Sequence, residues 1–147
     1  MKSLGSATII LFMLTLSLFS QNNDKKTEPV ALNKEYYSKL AEIIPIKRDY
    51  FLDDELNKLF RGKGFVESVD VLQRFNRQYR IVLIDSDAVS LNIRLYIYTS
   101  NDEYLKTLQK GDLFEYKGQL VIYTPLNLAR NSYIFDILLE DGTLLVK

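Results

Sequence analysis

Arg94, Tyr96 and Tyr98 alternate along one run, Leu91 to Thr99, so an extended chain puts all three on the same side. Tyrosine rings can stack on bases or sugars or anchor a protein partner, and arginine pairs with phosphate or carboxylate. Four more arginines belong with them. Arg74, Arg77 and Arg80 cluster about a turn, and Arg130 lies in the loop-like stretch Thr124 to Asn131. These seven residues form the candidate binding set. A plainer arrangement fits the same pattern: Tyr96 and Tyr98 beneath N-terminal helices, with the arginines solvated.

Catalytic chemistry has few carriers. The chain contains no histidine and no cysteine. The usual neutral-pH acid–base group, the usual zinc ligand and the thiol nucleophile are therefore missing. No Gly-x-Ser-x-Gly, phosphate-cradling loop or dinucleotide fingerprint occurs, and Gly62-Lys63-Gly64 reads as a turn. Ser/Lys and paired-carboxylate mechanisms stay formally open. Asp53-Asp54-Glu55 reads as the start of a helix. Asp85-Ser86-Asp87 reads as a solvated hairpin turn, since it lacks the length and glycine placement of a calcium loop. No enzyme activity, cofactor or metal is expected.

The elements that would position the set are mostly strands. Asn33 caps a helix to Ile44, on which Tyr36, Tyr37, Leu40, Ala41 and Ile44 recur at helical spacing, and Pro45 stops it. A second helix is expected from Asp53 to Arg61, with Leu56, Leu59 and Phe60 as its apolar face and Gly62 and Gly64 ending it. Strands follow over Val66–Phe75, Tyr79–Asp85 and Leu91–Thr99, the first two joined by a turn at Asn76-Arg77-Gln78. In the third strand Leu91, Ile93, Leu95 and Ile97 face inward. A helical turn, Asp102 to Gln109, carries Tyr104, Leu105 and Leu108 inward. The fourth strand is Leu113–Tyr123, with a bulge or bend expected at Gly118, and the fifth is Ser132–Glu140. A hairpin at Asp141-Gly142 leads to a short last strand.

The passage Leu108-Gln109-Lys110-Gly111-Asp112-Leu113-Phe114-Glu115-Tyr116-Lys117-Gly118 resembles the helix-to-strand-four passage of OB-fold domains, where Gly-Asp precedes a strand ending in Gly. Gly64 to Val69 resembles their first strand and Tyr79 to Ile84 their second. The likeness covers roughly residues 62 to 147. It implies a mainly β (α+β) fold: a five-stranded OB-like Greek-key β-barrel, with a helix between strands three and four, preceded by two short N-terminal helices. A small open sandwich is the rival architecture. Such domains include single-strand nucleic-acid binders, anticodon-binding-like modules and small exported bacterial proteins. The face of strands two and three is their usual binding surface.

Met1-Lys2 followed by the apolar run Ala7 to Phe19 reads as a signal peptide over residues 1–20, since a bilayer span needs roughly 20 apolar residues. Residues 21–32 read as a flexible leader, 33–61 as the helical pair and 62–147 as the barrel. A bacterial lipoprotein would need a cysteine at the cleavage site. Without the signal peptide the chain has one basic residue fewer than acidic ones, so general affinity for nucleic acid or anionic membrane is not supported. The expectation is an exported, periplasmic or extracellular binding module that recognises another protein. The alternative is a glycan or polyanion on the same face, with nucleic acid least favoured.

Overall fold

Residues 28–140 are described in the computed structural model of the chain. The expected signal peptide and the Asp141-Gly142 hairpin with its last strand lie outside them. Among the described residues there are six strands and three helices. They are β1 (Val30–Ala31), α1 (Lys34–Glu42), α2 (Pro45–Asp53), β2 (Leu59–Arg74), β3 (Arg77–Ile84), β4 (Asn92–Thr99), α3 (Glu103–Thr107), β5 (Leu113–Pro125) and β6 (Ser132–Leu139). The molecule is mainly β, with one mixed sheet in the order β1-β2-β3-β4-β6-β5. A further β2–β5 pairing bends this sheet into a ring. β4 and β6 run parallel, and the other pairs in the ring are antiparallel. The strand count is six rather than five because Val30–Ala31, expected in the leader, pairs in parallel with Phe60 and Arg61.

The inside of the ring follows from period-two patterning. Ile93, Leu95 and Ile97 of β4 pack with Ile81 and Leu83 of β3 and with Tyr133, Phe135 and Ile137 of β6 in one buried cluster. Along the β2–β5 seam the inward positions follow a second rule. Phe60 stands opposite Gly118, Gly62 opposite Tyr116 and Gly64 opposite Phe114. Each of these three aromatic residues thus has a residue with no side chain as its cross-strand partner. A Cβ on Gly62 would come within 2.5 Å of the Tyr116 hydroxyl. One on Gly118 would come within 2.3 Å of the Leu138 carbonyl oxygen and 2.7 Å of Ile137 Cγ2. These glycines let strands approach closely, which is a use of glycine inside sheets.

That seam overturns two expectations. Residues 59–61 are strand, not helix, and Gly62 and Gly64 continue β2 rather than end anything. The spacing of Leu56, Leu59 and Phe60 imitates a helical face, while the true alternation, 60-62-64-66, is hidden because two of its positions are glycine. The second helix lies earlier, with Pro45 at its start, where the missing N–H costs nothing. Asp53 therefore ends that helix instead of capping it. Gly118 stays in register, and the irregularity of β5 falls between Leu120 and Ile122.

Helix α1 matches its signals. The Asn33 side chain accepts a hydrogen bond from the Tyr36 N–H at 3.0 Å, and Tyr36, Tyr37 and Leu40 are buried. The Tyr36 ring meets Tyr37 and Phe60 edge-on and Phe51 at a tilt. Both helices thereby add side chains to the core of the ring. The buried phenols of Tyr37 and Tyr116 have pKa values well above normal, burial being the main cause. Tyr37 donates its hydroxyl proton to Asp85, which also accepts the Asp87 N–H at 2.8 Å. The expected solvated turn is thus anchored on a carboxylate that is itself buried. Burial also raises the Asp85 pKa. In α3, Tyr104 is buried edge-on to Phe114, but Leu105, expected inward, is exposed.

Candidate binding face

Strand β4 turns Arg94, Tyr96 and Tyr98 to the outside of the ring, as its alternation requires. Cross-strand register gives each a row of neighbours. Tyr98 lies between Arg80 and Leu138, Tyr96 between Val82 and Asp136, and Arg94 between Ile84 and Ile134.

Tyr98 is fully buried, and the N-terminal helices are not what the structure sets against its ring. The β2–β3 turn is tighter than expected: Phe75 and Asn76 are its two central residues, at φ 53° and 57°, and Arg77 begins β3 opposite Arg74. Left-handed conformation at both positions is the geometry of a two-residue hairpin. It brings the Phe75 ring edge-on to Tyr98 at 5.1 Å and the Arg74 guanidinium over Phe75 at 4.7 Å. The Tyr98 hydroxyl donates to Asp136 Oδ1 at 2.8 Å and accepts from Arg74 Nη1 at 3.3 Å. Arg74 lies 3.6 Å from Asp136, a carboxylate only 1% exposed. Burial, then the bond to Asp136, raises the Tyr98 pKa.

Tyr96 remains partly exposed. The Arg80 guanidinium stacks 4.5 Å above its ring and donates to Asp70 Oδ2 at 2.8 Å. Burial works against the Arg80 charge, but the bond to Asp70 and that carboxylate's charge outweigh it and raise the pKa. Arg94 is held 3.4 Å from Glu67. Arg77 is half-buried at the base of the hairpin.

Arg130 does not join the set. Its Nε donates to Asp49 Oδ2 at 2.9 Å, and its carbonyl accepts from the buried Arg48 at 2.7 Å. The Tyr133 hydroxyl donates to Asp49 Oδ1, and the Tyr123 hydroxyl donates to the Asp49 backbone carbonyl. Arg130 thus ties the β5–β6 loop to α2. The Tyr133 phenol is pushed up to about 12, by burial first and then by the Asp49 charge.

Two sets of residues in this region carry no signal that singles them out in the sequence. One is the acidic partners: Glu67 and Asp136, far along the chain from Arg94 and Arg74, and Asp70, opposite Arg80 across the β2–β3 hairpin. The other is an apolar row. Leu113 of β5 stands opposite Phe65 of β2, which stands opposite Ile84 of β3, which stands opposite Arg94 of β4. Residues directly opposite share a face, and Leu113, Phe65 and Ile84 are each nearly half exposed.

No protein-family model matches the chain, and no curated protein matches it. A lipoprotein from Klebsiella pneumoniae, provisionally named as nucleic acid-binding, has a similar structure, with TM-score 0.47 and 13% identity over 79% of this chain and 92% of its own. An aspartyl-tRNA synthetase from Leishmania major, also provisionally named, gives TM-score 0.40 and 9% identity over 81% of this chain and 21% of its own. The chain spans about a fifth of that synthetase's length. At these values neither likeness bears on what the chain does.

Proposed function

We propose that the chain is a non-enzymatic, exported OB-like binding module that recognises another protein through the outer face of β3 and β4. The ring β2-β3-β4-β6-β5, with α3 between β4 and β5, supports the reading of an OB-like Greek-key barrel. The run Ala7 to Phe19 after Met1-Lys2 supports export. Among the described residues no helix is long and apolar enough to cross a membrane.

The exposed row Leu113–Phe65–Ile84, continued by Arg94, carries the choice of a protein partner. Apolar side chains contiguous across strands, beside a tyrosine and arginines, suit the centre of a protein interface. Charge points the same way. Arg74, Arg80 and Arg94 each have a carboxylate, in Asp136, Asp70 and Glu67. A polyanion on this face would have to displace those carboxylates.

A photo-crosslinking residue at Ile84 in the full chain, irradiated in the native host, tests this. The expected result is one discrete protein adduct, formed equally at raised salt and lost on Phe65→Asp. Arg94→Ala with Tyr96→Ala should also weaken capture and shift stability by no more than about 0.5 kcal/mol. An adduct that vanishes steeply with salt would point to a polyanion instead. No adduct, in a folded variant, would remove the face from consideration.

A further inference from the structure

A second feature lies along the first half of β2, where β1 runs beside it, two residues along the strands from Phe65 and Leu113. A cavity of about 460 Å³ opens there between residues 31–33 and the β3–β4 loop at Asp87, with β2 and β5 as its floor. That volume falls within the usual range for small-molecule pockets. Its chemistry differs from that of the β3–β4 face. Arg61 of β2 stands directly opposite Lys117 of β5, and Lys63 opposite Glu115. Like charges directly across a sheet destabilise it. Lys117 is bound by Glu140 at 2.7 Å. Arg61 and Lys63 take part in no ion pair or side-chain hydrogen bond among the described residues. The cavity also holds two acceptors, Glu115 and Asp87, both of them carboxylates.

We propose that this cavity binds a small polyhydroxylated oxyanion, its anionic group on Arg61 and Lys63 and its hydroxyls donating to Glu115 and Asp87. The arginine supplies a planar pair of donors that matches a carboxylate or a phosphate face. An oxyanion at Arg61 also turns the repulsion between Arg61 and Lys117 into attraction. The two carboxylates favour a ligand that brings its own O–H donors. Asn33 places the start of α1 at the rim, where a helix favours negative charge. A sugar phosphate and a sugar acid share this chemistry.

The test is a titration of the isotopically labelled full chain with glucose 6-phosphate, glucuronate, inorganic phosphate and glucose, followed by amide shifts. At least one of the two sugar oxyanions should give saturable shifts confined to residues 31–33, 61–63, 87 and 115–117. Which one binds tells phosphate from carboxylate as the source. Glucose and inorganic phosphate should each bind about tenfold more weakly or worse, since each lacks one half of the recognition. Arg61→Gln, at an exposed position, should cost about tenfold in affinity at unchanged melting temperature, and Lys63→Gln should also weaken binding. Arg94→Ala should change nothing. Scattered or absent shifts with both sugar oxyanions, equal binding of glucose, or full affinity in a folded Arg61→Gln variant would each overturn the assignment.

Discussion

The inside of the β2–β5 seam and the outside of β3–β4 are both built from aromatic residues, yet the aromatics answer to opposite constraints. Inside, each aromatic residue pairs across the strands with a glycine: Phe60 with Gly118, Tyr116 with Gly62, Phe114 with Gly64. What matters there is volume, because a single added methyl group would run into backbone or ring atoms. Outside, each ring faces a charge: Arg80 over Tyr96, Arg74 against Tyr98. What matters there is pairing, because the guanidinium groups are held in turn by Asp70 and Asp136. One surface excludes everything but its own atoms. The other keeps polar groups satisfied and leaves apolar side chains beside them free to contact something else.

The contrast breaks hardest on the inside. Phe60→Ala removes a wholly buried ring that has only a glycine across from it and aromatic neighbours around it, so collapse cannot refill the space. A loss of about 3–5 kcal/mol is expected in denaturant unfolding. A loss below about 1 kcal/mol would mean that the seam does not exclude volume as described.

A smaller effect is expected where the outer face turns buried. Tyr98→Phe keeps the ring against Phe75 but takes the hydroxyl from Asp136, leaving that carboxylate with Arg74 at 3.6 Å. The expected cost is about 1–3 kcal/mol, the usual penalty for an acceptor deprived of its partner. An unchanged unfolding midpoint would show that Arg74 closes onto Asp136 and that the face is more adaptable than the seam.

The tyrosines sharpen the comparison through pH. Tyr37 and Tyr116 inside and Tyr98 outside all have folded pKa values above the ordinary 10.0. A raised folded value means that the native state holds the phenol proton more tightly than the unfolded chain does. The stability it contributes is complete below pH 10 and is lost as pH rises through the folded values. Melting temperature should therefore fall steeply above about pH 10, with a further rise in phenolate absorbance at the unfolding step. Tyr98→Phe should make that fall shallower. No absorbance rise at the unfolding step would place these hydroxyls in water.

The strands with clean alternation were legible in the chain. Asn92–Thr99 and Ser132–Leu139 form strands with the faces their pattern implies, and Asn33 caps α1 through its own side chain. Legibility fails where the signal is an absent side chain. Gly62 and Gly64 read as the end of a helix because a glycine reports permission, not preference. It also fails where one residue type serves two ends: Pro45 can stop one helix or start another, and here it opens α2. Of the seven candidate residues, Arg80, Arg94 and Tyr96 meet on one face with their outward position as expected, and Arg74 and Arg77 flank it at the hairpin. Tyr98 is outward in register but buried by Phe75, and Arg130 belongs to α2 through Asp49.

The sequence by itself determined which side of β4 and of β6 faces the core, because burying one face of a pleated chain demands period two. It also determined what chemistry the chain lacks, since composition is independent of folding. Only the tertiary structure decided which carboxylate meets which arginine. Asp136 lies 62 positions from Arg74 along the chain, and Asp49 lies 81 from Arg130, so no local preference encodes either pair. Closing the ring through β2 and β5 brought these groups together, giving Arg74, Arg80 and Arg94 each a carboxylate.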